Sequence, residues 1–166
     1  MASKAKIKGH PIHPILVALP IGMWGFTFFS DIIYFAGGGD AWREASLRTA
    51  GVGVIAALAA AIPGAIDLFS WSKSRVKTIG TWHGALNVVI TGAFAVSFFL
   101  RLGGVPVAGW PFVLVAAGVL LLDVTGWLGG SMVYVYRAAI EPHAAPGAPG
   151  KEAPAREKET VSAGKE

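Results

Sequence analysis

Two histidines and two aspartates lie within long apolar stretches of this chain, where ionisable side chains are rare. His13 and His83 are seventy residues apart, and each lies near the start of an apolar segment. Asp67 and Asp123 each lie towards the end of another apolar segment. Ionisable residues inside a membrane are costly and tend to face the interior of a helix bundle, so these four side chains form the candidate site.

The sequences that follow the two histidines are similar, which indicates an internal duplication. The shared residues are His13, Leu16, Gly22, Phe28 and Phe29 in one copy and His83, Leu86, Gly92, Phe98 and Phe99 in the other. An Asp-x-x-x-Trp pattern then follows in each half, from Asp67 to Trp71 and from Asp123 to Trp127. Many membrane folds are built from such repeats, and an axis along the membrane normal would bring equivalent residues towards each other.

The composition places these residues in a membrane protein. Of the 166 residues, 54% are hydrophobic and only 14% are charged, whereas soluble domains carry about 25% charged residues. The charges crowd into the ends of the chain and three short connectors. The apolar stretches between them, at 14–36, 47–69, 79–102 and 110–136, are each about 20 residues or longer, which is enough to cross a bilayer as a helix.

We therefore predict an all-α membrane protein, a four-transmembrane-helix bundle over residues 9–137 that consists of two tandem helical hairpins. A basic segment, 1–8, precedes the bundle. A tail, 141–166, follows it and is predicted to be disordered because it has little apolar surface to bury. Lys and Arg are most frequent beside the N-terminus, between spans two and three, and after span four, so both termini are predicted to be cytoplasmic. The same placement explains the pI of about 9.6 without nucleic-acid binding.

In this topology the two histidines lie at similar depth near the inner surface. Two imidazoles that face each other across the axis of the repeat could be the axial ligands of one haem iron. Asp67 and Asp123 on the neighbouring helices would lie in the same inner half, with Asp123 the deeper. They could accept the other ring N–H and orient the ligands, or relay protons. Trp71 and Trp127 could flank the site, although tryptophan is also common at membrane interfaces.

Other interpretations of the same residues stay open. The histidines could cap helix starts or contact headgroups, and they could also serve another metal, a quinone pocket or a proton path. His10 lies three residues before His13, so it is a rival ligand and could complete a divalent-metal site with His83. No signature metal motif such as H-E-x-x-H occurs. Asp31 and Arg101, near the outer ends of spans one and three, could pair or could simply lie at the outer interface.

Several short motifs together resemble a known family. They are Gly-His-Pro-Ile-His-Pro at 9–14, Leu-Val-Ala-Leu-Pro-Ile-Gly at 16–22, Trp-His-Gly at 82–84 and Gly-Trp-Leu-Gly-Gly at 126–130. Over about residues 9–137 the chain resembles a family of predicted bacterial membrane proteins known as domain-of-unknown-function family 2231. The resemblance implies a four-span integral membrane protein with no settled activity, and we predict that this multi-pass protein lies in the bacterial cytoplasmic membrane. Some relatives look like fusions with a Rieske-type iron–sulfur domain, which implies redox work. This chain has neither that domain nor any cysteine, so it would need a separate electron partner.

We predict a membrane cytochrome-like redox subunit in which His13 and His83 ligate the iron of one b-type haem between spans one and three. It would be an electron-transfer subunit in the lipid bilayer, passing electrons between a separate electron-transfer protein and a quinone, with a homodimer possible. One alternative is a small transport or proton-conducting module, with Asp67 and Asp123 along a path between the halves and Pro63-Gly64 as a break. The other is a structural membrane subunit without chemistry.

Overall fold

The computed structural model describes residues 3–139, most of which are helical. Two short strands, β1 (Lys6–Ile7) and β2 (His10–Pro11), pair antiparallel ahead of the first helix. The helices that follow are α1 (Ile12–Leu16), α2 (Ala18–Ile33), α3 (Asp40–Ser70), α4 (Arg75–Leu102) and α5 (Trp110–Gly130). One π-helical turn extends α2 over Tyr34–Gly38, and another extends α5 over Ser131–Val135. The predicted disordered tail at 141–166 lies outside the described residues.

Four helical segments are long and apolar enough to cross a membrane: Ile12–Gly38, Asp40–Ser70, Arg75–Leu102 and Trp110–Val135. The prediction of an all-α protein with four transmembrane helices is confirmed, and a lipid bilayer is the environment of these helices. The second segment begins seven residues earlier than the apolar stretch at 47–69. Its first two turns carry Asp40, Arg43 and Glu44, charges that mark the end of an apolar stretch but do not stop a helix.

The four long helices form a bundle in which α2 and α4 are diagonally opposite. Helix α2 packs against α3 and α5, and α4 packs against the same two helices. Short connectors, 71–74 and 103–109, join α3 to α4 and α4 to α5, so neighbouring helices run in opposite directions. Side chains of α1 and α2 meet those of α4 along a line at the centre of the bundle, and we call this line of contacts the seam.

Stacked aromatic rings fill the middle of the seam. The rings of Trp24 and Phe94 are nearly parallel, with centroids 4.4 Å apart, and both residues are buried. The Trp24 indole N–H donates to the carbonyl oxygen of Ala50 at 3.3 Å, which satisfies its buried polar group. Gly53 and Gly118 leave room for the two rings, because a Cβ on either glycine would collide with the ring beside it.

A separation of seventy residues recurs across the seam at three levels. Residues separated by seventy positions meet there in three pairs: His13 with His83, Trp24 with Phe94, and Asp31 with Arg101. The second helices of the two halves, α3 and α5, correspond in a different alignment. In this alignment Gly53, which lies beside Trp24, corresponds to Gly118, which lies beside Phe94. We call it the glycine alignment.

The glycine alignment corrects the match between the Asp-x-x-x-Trp patterns. The sequence comparison paired Asp67 with Asp123, whereas the glycine alignment takes Asp67 to Met132 and takes Leu58 to Asp123. The first half has five more residues than the second between equivalent positions, since Trp24 and Gly53 are 29 residues apart and Phe94 and Gly118 are 24 apart. The residue types in this region are common in both halves, so the sequence does not show where the extra residues of the first half lie. The match between Asp67 and Asp123 in the sequence is therefore a chance one.

A buried ion pair closes the seam at the end opposite the histidines. The guanidinium of Arg101 donates to both carboxylate oxygens of Asp31, at 2.8 and 2.7 Å. Both side chains are almost fully buried. Ser46 of α3 and Ser97 of α4 add further hydrogen bonds, and the Ser97 hydroxyl donates to the carbonyl of Pro111 on α5. The pairing is thus the one that the sequence allowed, and it connects all four long helices.

Candidate functional site

His13 is held by a hydrogen bond from its ring to the backbone of α3. It lies in the single turn of α1 between Pro11 and Pro14, where missing backbone N–H groups cost little because a first turn has no partners for them. The ring Nδ1 is 2.8 Å from the carbonyl oxygen of Ala60. Gly64 lies one turn further along α3, and a Cβ there would be only 2.8 Å from Nδ1. The glycine therefore allows the ring to reach the backbone of α3.

His83 is held in the same way within the second half. Its Nδ1 is 3.0 Å from the carbonyl oxygen of Thr125 on α5. Gly129 lies one turn further along α5, and a Cβ there would be 3.2 Å from Cε1 of the ring. The glycine alignment takes Ala60 to Thr125 and Gly64 to Gly129. The two histidines are therefore anchored in the same way, at positions that the glycine alignment relates to each other.

These hydrogen bonds fix the tautomer of each ring. A carbonyl oxygen can only accept, so Nδ1 carries the hydrogen and the neutral ring has its lone pair on Nε2. A carbonyl partner on the other nitrogen is typical of metal-ligating histidines, because it orients the ring and raises the basicity of the free nitrogen. Within residues 3–139 no hydrogen bond uses Nε2 of His13 or His83.

The two rings meet at the seam. Their centroids are 6.3 Å apart, and their planes are perpendicular. Both histidines are partly buried, below the aromatic stack and towards the end of the bundle where α1 and α4 begin. Two imidazole–metal bonds of about 2 Å each, with the half-widths of the two rings added, span a distance close to this separation. The spacing is therefore compatible with one metal centre between the rings.

Asp67 does not contact either histidine. Its carboxylate accepts hydrogen bonds from the Ser3 hydroxyl at 2.7 Å and from the backbone N–H groups of Lys4 and Ala5 at 2.7 and 3.0 Å. This buried aspartate holds the segment before β1 against the end of α3. The predicted role of orienting His13 is filled instead by the carbonyl of Ala60, because that oxygen occupies Nδ1.

Asp123 is exposed on the surface of α5 and makes no hydrogen bond or ion pair within the described residues. It lies two residues from Thr125, whose carbonyl takes the position at His83 that was predicted for this carboxylate. Neither aspartate lines the seam, where the transport alternative placed both of them. The seam between the histidines and the ion pair is occupied at its middle by Trp24 and Phe94.

The remaining predicted site residues lie away from the histidine pair. Trp127 is strongly exposed on α5, as expected of an aromatic side chain in contact with lipid. Trp71 caps the end of α3, and its indole N–H is buried without a partner in the described part of the chain. His10 is exposed on β2 and its Nδ1 is 3.1 Å from the carbonyl of Lys8. The structure thus brings His13 rather than His10 to His83.

Sequence reasoning missed the four residues that anchor the rings. Ala60 and Thr125 act through backbone carbonyl oxygens, which every residue has, so their residue types do not identify them as acceptors. Gly64 and Gly129 act through the absence of a side chain. A search for glycines that recur in both halves would have found the pair, but only with the alignment of α3 and α5 already known.

Comparison with known proteins supports the assignment of the chain as a membrane protein. No curated protein and no solved structure matches the chain. A family model with the description "Predicted membrane protein (DUF2231)" matches residues 9–142, which include every helix and both histidines of the pair. The chain therefore belongs to the DUF2231 family of predicted membrane proteins.

Proposed function

We propose that the protein is a membrane redox subunit in which His13 and His83 hold one b-type haem. The observation that carries the proposal is the symmetric pair of imidazoles at the seam. Each ring is anchored through Nδ1 to a helix backbone, and the centroids are 6.3 Å apart. The geometry leaves both Nε2 atoms available as ligands from the two halves of one duplicated bundle.

The donor set fits a haem better than a bare ion. A structural zinc site takes four protein ligands, and a catalytic site takes three. Within the described residues no group of three or more His, Asp or Glu side chains could hold a metal ion. A haem iron already has four ring nitrogens and needs only axial ligands from the protein, and histidine is a common axial ligand. Two facing imidazoles supply that number.

The protein's own residues would bind, orient and shield the group. A bound haem would supply one-electron redox chemistry. The carbonyls of Ala60 and Thr125 hold the ring N–H groups and keep both nitrogens of the pair pointing away from the backbone. The aromatic stack of Trp24 and Phe94 closes the seam beyond the histidines, which limits access of water from the far side.

The electron partners in this proposal are a quinone in the lipid phase and a separate electron-transfer protein. The chain contains no cysteine for an iron–sulfur centre of its own. Basic residues cluster at the histidine end of the bundle, with Lys4, Lys6, Lys8, Lys73, Arg75 and Arg137 exposed there. That distribution supports a cytoplasmic location for this end, in a bacterial inner membrane.

An absorption spectrum of the detergent-purified protein tests the proposal. The protein is expressed with ample haem, and a Soret band with reduced α and β bands is the expected result. His13→Ala and His83→Ala should each abolish the low-spin spectrum. His10→Ala is the matched control and should leave the spectrum unchanged, because His10 is exposed and is not part of the pair.

Electron paramagnetic resonance adds a test of the ring geometry. Perpendicular imidazole planes, as observed for His13 and His83, give a strongly anisotropic low-spin ferric signal, whereas parallel planes do not. Circular dichroism of each variant checks that the helices are retained. A helical protein without a Soret band, or an unchanged spectrum in His13→Ala, would show that the pair does not bind haem.

A further inference from the structure

Asp123 lies halfway through the fourth membrane span and is exposed. It is thirteen residues after Trp110 and twelve before Val135, the first and last residues of that span. With a rise of about 1.5 Å per residue, it is roughly 18–20 Å from either end. This depth places the carboxyl group in the hydrocarbon region rather than at the interface. The predicted span, 110–136, and the observed one, Trp110–Val135, have nearly the same bounds, and both put Asp123 close to the midpoint.

The position of Asp123 is costly for a protein surrounded only by lipid. The insertion of an aspartate at the centre of a membrane helix is strongly unfavourable. The other buried or mid-span acids of the described chain have partners, since Asp31 pairs with Arg101 and Asp67 binds the segment before β1. Asp123 alone among the three has none within residues 3–139. Its exposed position indicates that the partner comes from outside the described residues.

The surface around Asp123 is shaped for close approach of another helix. Leu120 and Trp127 lie three residues before it and four residues after it, so they share its face of α5. They are 69% and 79% exposed. Gly126 lies one turn from Asp123, and a Cβ added there would meet no atom within 4 Å. Small residues of this kind let the backbones of two membrane helices come close together.

The charge identifies the occupant of this surface. A second copy of the chain would need an exposed basic side chain at the depth of Asp123, and the described spans have none. The exposed Arg48 corresponds to Val113 in the glycine alignment, so its level is about 15 Å from that of Asp123 along the bundle. Two facing copies of Asp123 would instead repel each other when ionised.

We propose that Asp123, Gly126 and the exposed face of α5 bind a transmembrane helix of a different protein that carries a lysine or arginine near the middle of the bilayer. The carboxylate and the cation neutralise each other in the hydrocarbon region, and Gly126 lets the two backbones approach. This inference does not depend on haem binding, because the face is on the outside of the bundle and makes no contact with either histidine.

Association with designed peptides in liposomes tests the proposal. The probe is a Leu- and Ala-rich transmembrane peptide with one central lysine, and its control has leucine at that position. Energy transfer between labelled protein and labelled peptide in phosphatidylcholine vesicles measures association. The lysine peptide should bind the unmodified protein about tenfold more tightly than the leucine peptide. Asp123→Leu should remove this preference, and Gly126→Ile should weaken binding of the lysine peptide.

Each other outcome overturns the proposal. Equal binding of both peptides to the unmodified protein would mean that Asp123 does not select a cation. A preference that persists in Asp123→Leu would place the site elsewhere. Energy transfer between two labelled copies of the protein, lost in Asp123→Leu, would identify a second copy as the occupant. Asp123→Asn keeps the size of the side chain but removes its charge, so it should also lose the preference for the lysine peptide. Circular dichroism of each variant checks that the helices are retained.

Discussion

Removal of Arg101 alone should destabilise the bundle far more than removal of the whole ion pair. Arg101→Gln leaves the Asp31 carboxylate buried at 0% exposure with the Ser46 hydroxyl as its remaining described donor. Breaking a buried ion pair in this way costs about 3–5 kcal/mol, because one charge stays uncompensated. The variant with both Asp31→Asn and Arg101→Gln has no buried charge, and its amides can hydrogen-bond. We expect it to lie within about 1 kcal/mol of the original protein, since replacing a buried pair by neutral groups is often nearly neutral.

Equilibrium unfolding in mixed micelles with increasing dodecyl sulfate, followed by circular dichroism, measures these differences. The single and double variants form a double-mutant cycle, and the expected coupling between positions 31 and 101 is at least about 3 kcal/mol. The exposed pair of Arg48 with Glu44 is the matched control. Its side chains are 75% and 45% exposed, so Arg48→Gln should cost no more than about 1 kcal/mol.

Two results would refute this reasoning. Additive effects of Asp31→Asn and Arg101→Gln would show that the two charges do not stabilise each other. A loss in Arg101→Gln no larger than the loss in Arg48→Gln would show that water reaches the end of the seam. Either result would contradict the burial on which the predicted magnitude rests.

Three further substitutions test other parts of the structure. Gly64→Ala places a Cβ against the His13 ring and should lower the free energy of unfolding by about 1–3 kcal/mol; Gly22→Ala, at a position with open space, should change it by at most about 0.5 kcal/mol. Asp67→Asn should speed hydrogen exchange at the amides of residues 4–5, measured by mass spectrometry, while exchange in α3 stays unchanged. Trp24→Ala should cost about 3–5 kcal/mol in the same unfolding assay, because it empties the middle of the seam; a loss below about 1 kcal/mol would mean that the seam is loosely packed.

The first helices of the two halves could be read from the sequence because their informative residues are rare. A histidine at the start of an apolar segment is uncommon, so the seventy-residue separation of His13 and His83 stood out. The same separation joins Asp31 to Arg101 and Trp24 to Phe94. The correspondence of Asp31 with Arg101 was visible from their positions near the outer ends of spans one and three, whereas Trp24 and Phe94 are different residue types and did not stand out.

The second helices could not be aligned from the sequence, and the reason is physical. The features that α3 and α5 share do not depend on side-chain type. Gly53 and Gly118 leave room for aromatic rings, and Ala60 and Thr125 accept hydrogen bonds through their backbone carbonyl oxygens. Helix packing selects small residues for their volume, and this chain has 22 glycines, so no one of them is conspicuous. The aspartates were conspicuous, but each has its own local role or partner surface.

The three residue pairs along the seam differ in whether two identical residues could face each other across an approximate two-fold axis. At one end, two copies of the same charged residue would face each other and repel, and the pair there is Asp31 with Arg101, which attract. In the middle the rings of Trp24 and Phe94 stack, and aromatic residues of different size fill the space equally well. Only His13 and His83 are identical, and neutral imidazoles do not repel.

Identity at the histidine level has a further chemical consequence. A carbonyl anchors each Nδ1, so the two neutral rings have their lone pairs on equivalent atoms, the Nε2 of His13 and the Nε2 of His83. Two equivalent imidazoles would suit a haem iron, for which histidine is a common protein ligand. If the residues at the position of His13 and His83 mattered only for packing, two different residues could fill it, as Trp24 and Phe94 do in the middle of the seam. In that case His83→Phe would keep both the fold and the function. We expect instead that His83→Phe folds but lacks the haem absorption spectrum.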